Sequence, residues 1–184
     1  MIYGQLEHWA DGIGNFAGHF SRSVYNMTVS AGKKYLLHII NTSVDTAYLF
    51  SIDNHNFTVI SSDLVPIQPY NTANIVVRIG QRYHVVLTAT TDDTDEYPQL
   101  PSVNYWIRAI AAYGCSGFET GNKPDERQGI LSYVGSDILV VPVAFRRSFN
   151  TTCKDEDPTN LVPILPCSVP PVTLTSSALP RKYT

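Results

Sequence analysis

The sequence predicts an all-β fold, an antiparallel Greek-key sandwich or barrel, and three observations carry that prediction. Short apolar or alternating runs recur about every 8–12 residues, each bounded by Gly, Asn, Asp or Pro. No stretch long enough for an ordinary helix carries a helical period. Apolar residues repeat with a period of two in Ile75-Val77-Ile79 and Tyr83-Val85-Leu87, the spacing that points successive side chains of a strand to one face.

The elements follow in order. Residues 1–22 are Gly-rich and irregular and form a lead-in. VYNMTV (24–29) alternates and reads as the first strand, with Ala31-Gly32-Lys33 as the turn after it. KYLLHIIN (34–41) is so apolar that it reads as a strand covered on both faces. AYLFSID (47–53) and NFTVISS (56–62) flank Asn54-His55, which reads as a hairpin turn. TANIVVRI (72–79), Gly80-Gln81 and RYHVVLTA (82–89) form another strand–turn–strand unit. NYWIRAIAA (104–112) and GILSYV (129–134) complete a set of about seven or eight strands. Residues 23–137 thus make one sandwich domain. Residues 138–184 differ in character: seven of the twelve prolines lie beyond position 140, in apolar segments such as NLVPILP and CSVPPVTL. Such segments cannot pair centrally in a sheet, and they are too apolar for a solvated tail. They read as an extended Pro-rich strap that packs against this domain or a neighbour.

Composition narrows the function classes. The 184 residues carry a net charge of −3, with 16% charged residues and no dense Lys/Arg cluster, so nucleic-acid binding finds no support. No apolar run is long enough to span a bilayer as a helix. The opening MIYGQLEHWADG lacks the basic start and apolar centre of a signal peptide, so an extracellular location rests on other features. Four sequons supply one: Asn26-Met-Thr, Asn41-Thr-Ser, Asn56-Phe-Thr and Asn150-Thr-Thr. The cysteines are Cys115, Cys153 and Cys167. A Cys115–Cys153 bridge would tie the strap to the sandwich, with a chain-entropy effect of roughly 4 kcal/mol; three unlinked thiols are the alternative. Cys167 would then be a free thiol or pair outside the chain.

Tests for chemistry come out negative. The histidines are His8, His19, His38, His55 and His84, with no His-x-His or His-x3–4-His pair, and no closely spaced Cys pair exists. Every histidine precedes every cysteine, and the methionines are Met1 and Met27, an order unlike a blue-copper ligand set. No nucleophile elbow or phosphate loop is present. Asp92-Asp93 and Asp155-Glu156-Asp157 read as solvated loop charges.

The words of the sequence are more specific. Ile40-Asn41-Thr42, Phe50-Ser51-Ile52, His55, Thr58-Val59-Ile60, Asp63, Val65-Pro66 and Gly80-Gln81-Arg82-Tyr83 stand in the order and spacing of the middle cupredoxin domain of fungal laccases, which are multicopper oxidases. NYWIRA (104–109), GILSY (129–133) and the connector CKDEDPTNLVP (153–163) extend the resemblance, which covers roughly residues 24–165 and is of the ascomycete type.

That resemblance implies a plastocyanin-like fold and a copper-free role. In laccases the coppers lie in the first and third domains and at their interface, and the enzyme oxidises phenols while reducing O2 to water. The middle domain spaces the other two and forms one wall of the phenol pocket. It follows by resemblance that this chain has no copper of its own, that its partners are first and third cupredoxin domains, and that the isolated chain is inactive. Asp45 falls where laccases place a carboxylate that hydrogen-bonds the phenol, and Tyr113 where an aromatic packs on its ring; a turn cap and a core or rim residue are the plain alternatives. The resemblance also implies the Cys115–Cys153 disulfide, secretion, and a glycan at Asn56. Two departures stand out: His38 replaces the usual arginine of its strand and His84 the usual aspartate after GQRY. The competing readings are a stand-alone copper-free cupredoxin-like binding protein, and a non-covalent subunit completed by partner chains. Faces left bare by absent neighbours, in the middle-domain and the non-covalent-subunit readings, would favour self-association.

Overall fold

The computed structural model describes residues 25–90, 104–112, 126–137, 140–142, 152 and 154–166. Nine strands are found among them: β1 (Asn26–Val29), β2 (Lys34–Ile40), β3 (Tyr48–Ile52), β4 (Phe57–Ser62), β5 (Val65–Thr72), β6 (Asn74–Val77), β7 (Arg82–Thr88), β8 (Asn104–Ala111) and β9 (Glu126–Tyr133). They build two sheets, one in the order β1-β9-β8-β3-β6 and one in the order β2-β7-β4-β5. The molecule is the all-β, two-sheet architecture that the alternating runs predict. The described pairings are antiparallel except β1–β9, which run parallel.

The core lies between the sheets, where period-two positions from both meet. Met27, Val29, Phe50, Ile52, Ile75, Val77, Ile107 and Leu131 face Ile39, Phe57, Val59, Ile67, Tyr83, Val85 and Leu87. Full burial of one such aliphatic or aromatic side chain is worth about 1.5–3 kcal/mol. Ile79 breaks the expected series: it lies in the turn after β6 and is half exposed.

Four sequence readings change. Asn54-His55 is not a hairpin turn, because β3 and β4 belong to different sheets and the chain turns a corner between them. Asn54 takes a left-handed φ of 55° there, which asparagine tolerates well. β5 went unread because Pro66 and Pro69 interrupt it; it is an edge strand, the position in which missing N–H donors are tolerated. The apolar KYLLHII is also an edge strand, with Leu36, His38 and Ile40 facing outward and exposed. The strand covered on both faces is instead β8, third in its five-stranded sheet. Its outward Asn104, Trp106, Arg108 and Ile110 are all buried. Residues 136–137 and 140–142 lie across it: Asn104 Nδ2 donates to the carbonyls of Asp137 (2.8 Å) and Val140 (2.7 Å), and Trp106 Nε1 to that of Pro142 (3.1 Å).

Part of the Pro-rich segment docks on β5. Gln68 N donates to Val162 O (2.8 Å) and Ile164 N to Pro66 O (3.0 Å), so residues 162–164 extend the edge of the sheet. Leu161 packs against the core. The acidic run beside it is exposed at Asp155 and Asp157 and also makes local contacts. Asp155 pairs with Arg78, and Asp157 caps the one-turn 3-10 helix Pro158–Asn160.

Candidate functional site

The loop between β2 and β3 carries Asp45, and Asn41 fixes that loop at its base. Asn41 is buried. Its Nδ2 donates to Thr46 O (2.7 Å) and Val77 O (2.9 Å), while its Oδ1 accepts from Ser43 N (2.9 Å) and Ser43 Oγ (2.6 Å). The Ser43 bond is an Asx turn, the local device by which asparagine shapes its own backbone. Both amide hydrogens are therefore used inside the protein. In this geometry the Asn41 amide clamps the base of the loop.

Above the clamp the loop stands out into solvent. Val44 is 94% exposed and Asp45 is exposed. Thr46 Oγ1 donates to Asp45 Oδ1 (2.9 Å), which restrains the carboxylate while Oδ2 stays without a partner among the described residues. Such a group can accept a hydrogen bond from a hydroxyl and take its proton. Ala112 N donates to Ala47 O (2.8 Å), bringing the end of β8 beside this loop. Tyr113 follows directly but lies outside the described residues, as do Cys115, Cys153, Cys167 and Asn150. Asn26, on edge strand β1, and Asn56, in the corner before β4, are exposed.

A second polar group sits inside. Asp53 and Arg108 form a buried bidentate ion pair, Nε to Oδ1 and Nη2 to Oδ2, both 2.8 Å. The guanidinium lies 5.9 Å from the Trp106 ring centroid. Next to it His55 is fully buried: Nδ1 lies 2.8 Å from Asp53 O and Nε2 2.7 Å from the Tyr133 hydroxyl. A carbonyl only accepts, so Nδ1 carries a proton. In the neutral ring Nε2 then accepts from Tyr133. Burial above all, and then the neighbouring Tyr105 and Tyr35, push the Tyr133 phenol well above its ordinary range. Tyr105 closes the group edge-on to His55 at 4.8 Å. This cluster was illegible in sequence, since Asp53, His55, Arg108 and Tyr133 come from separate segments.

Among the described residues no three His, Cys, Asp or Glu side chains converge. Both nitrogens of His55 are engaged. His38 and His84, far apart in sequence, are register partners on β2 and β7 with ring centroids 4.3 Å apart. Burial, and secondly the nearby His38, lower the proton affinity of His84. The donor set of the described residues therefore does not match a three-ligand copper site.

Comparison with known proteins agrees with this architecture. The family model described as multicopper oxidase matches residues 7–136. A laccase of Arthroderma benhamiae is 43% identical over 146 residues, 79% of this chain and 22% of the relative. Laccase-1 of Botryotinia fuckeliana is 38% identical over 143 residues, 77% of this chain and 23% of the relative. The crystal structure of the laccase from Botrytis aclada superposes with a TM-score of 0.65 at 38% identity, covering 77% of this chain and 24% of that one. The chain thus spans about a quarter of the length of the proteins it matches.

Proposed function

The chain belongs to the multicopper oxidase family, and from that membership we propose that it acts as the copper-free middle domain of a secreted laccase-like enzyme that oxidises phenols. Its work there is geometric. It spaces the first and third cupredoxin domains and offers one wall of the phenol pocket. The observation that carries the reading is the Asp45 loop: a carboxylate held outward on a clamped turn, with one oxygen unengaged. Asp45 accepts the phenolic hydroxyl's hydrogen bond and takes its proton as the phenol is oxidised, a general-base role. Tyr113 supplies an aromatic surface for the ring. This reading assigns the chain no copper of its own, and no step here runs through a metal.

The same reading takes Cys115–Cys153 as a disulfide and Asn26, Asn56 and Asn150 as glycan acceptors, with Asn41 reserved for the loop clamp. The test is Asp45→Ala in the full-length parent oxidase. KM for phenols rises by roughly tenfold, the loss of one good hydrogen bond to a charged acceptor, while oxidation of a non-phenolic electron donor is unchanged. Unaltered phenol kinetics would remove Asp45 from the pocket. A tightly held, blue-absorbing copper in the purified 184-residue chain would overturn the copper-free assignment.

A further inference from the structure

Two imidazoles meet on the outward face of the four-stranded sheet. His38 and His84 are direct register partners on β2 and β7. The bonds Ala89 N to Lys33 O (2.8 Å) and Asn41 N to Gln81 O (3.2 Å) mark the odd-numbered rows of β2 as the hydrogen-bonded pairs. The His38–His84 row is therefore a non-hydrogen-bonded pair, where facing Cα atoms approach to about 4.5 Å and side chains lie closest. The rings stand 4.3 Å apart, their planes at 73°. His38 is exposed and His84 half-buried. Neither ring hydrogen-bonds to another described residue. Leu36 and Val86 flank the pair on one side, Ile40 and Arg82 on the other, and Arg82 turns its guanidinium to Gly80 O (3.2 Å).

We propose that His38 and His84 form a two-imidazole site for a first-row divalent transition-metal ion, Cu(II) before Zn(II), that bridges β2 to β7. Imidazole is a preferred ligand of these ions, and affinity rises to Cu(II) along the first-row series. A nitrogen from each ring must come to about 2.0–2.1 Å from the ion. The edge-to-face rings reach that by rotating about side-chain torsions, which outward positions leave open, while the sheet already sets the spacing of the two Cα atoms. Water fills the remaining positions, so the ion is exchangeable. Without a thiolate the site is not blue, and it is separate from any copper of the parent enzyme. Because the ion binds only the paired strands, it stabilises the fold in proportion to its occupancy.

The experiment uses the full 184-residue chain, stripped with EDTA and titrated with Cu(II) at neutral pH by calorimetry and electron paramagnetic resonance. One Cu(II) binds per chain with a two-imidazole nitrogen pattern, and Tm rises. His38→Gln and His84→Gln each weaken binding by roughly tenfold or more and remove the Tm rise, whereas His8→Gln and His19→Gln leave both intact. Zn(II) gives a smaller Tm rise through the same two residues. If the His38→Gln/His84→Gln double variant binds Cu(II) as tightly as the parent sequence, the ion sits elsewhere as an adventitious ion only and the proposal fails. It fails equally if the unmutated chain binds none. Should either variant lose its β-sheet circular dichroism, the nitrogen pattern of the unmutated chain decides, and one imidazole or none overturns the site.

Discussion

The described histidines fall into two surroundings, one beneath the five-stranded sheet and one on the face of the four-stranded sheet. His55 has no exposed surface and both nitrogens are engaged, by Asp53 O and the Tyr133 hydroxyl. His38 and His84 face outward, their ring centroids 4.3 Å apart. The first arrangement is closed: every lone pair and proton has a partner, so the ring holds the corner between β3 and β4 and has nothing left for a ligand. The second is open, with ring nitrogens available. Burial and closeness to other polar groups do not by themselves make a functional site. Unspent hydrogen-bonding or ligating capacity does, and by that measure Asp45 and the His38–His84 pair stand out while His55 and Arg108 do not.

The largest effect should come from opening the closed cluster. Asp53→Ala removes the carboxylate that pairs with the buried Arg108 guanidinium and costs about 3–5 kcal/mol, measured by urea unfolding of the chain. Adding Arg108→Met should recover part of that loss. A single-variant cost well below 1 kcal/mol would show that water reaches the pair.

Tyr133→Phe is the next step down. It removes the hydroxyl 2.7 Å from His55 Nε2 and costs about 1–3 kcal/mol at neutral pH. The same phenol gives a pH signature with a definite sign. Its folded value is raised above the ordinary 10.0, so the unfolded chain releases the proton first. The stability it contributes is full below that value and is lost as pH rises through it toward the folded value. Tyr133→Phe should therefore flatten the alkaline fall in Tm, although Tyr25, Tyr70, Tyr83 and Tyr105, raised mainly by burial, keep part of it. An alkaline limb unchanged in the variant would place the sensitivity in those other phenols.

Asn41→Ala should cost a similar or slightly smaller amount, about 1–2 kcal/mol, because exposed water can reach part of the loop it clamps. Its distinguishing effect is local: amide exchange at Ser43 should speed up more than exchange in β7. Uniform acceleration through the domain would mean that the clamp supports the core rather than the Asp45 loop.

The smallest effect belongs to the open pair. In metal-free buffer His38→Gln and His84→Gln should each shift stability by no more than about 0.5 kcal/mol. A loss of several kcal/mol at either position would erase the contrast between the two surroundings.

Much of the sheet content was readable from the chain because a strand's burial pattern is local. Tyr83-Val85-Leu87 alternates in sequence and lies inward in the fold. The turn at Gly32 was readable because its φ of 74° suits glycine. Asp45 was singled out by resemblance, and the fold adds that it stands outward on a clamped loop. At Asn41 the fold adds what a motif of residue types does not record, that both amide hydrogens are bonded within the protein. β5 was missed because its prolines argue against a strand until an edge position is known.

By itself the sequence determined an all-β domain, some of its turns, the family it resembles and one candidate carboxylate. All of these depend on residues close together along the chain. Tertiary structure alone decided that β3 and β4 part into different sheets, that β8 rather than β2 is covered on both faces, and that Asp53 meets Arg108. It also decided that His38 meets His84 across two strands. Such pairings follow from register and sheet order, which many-residue packing fixes and which no local pattern encodes.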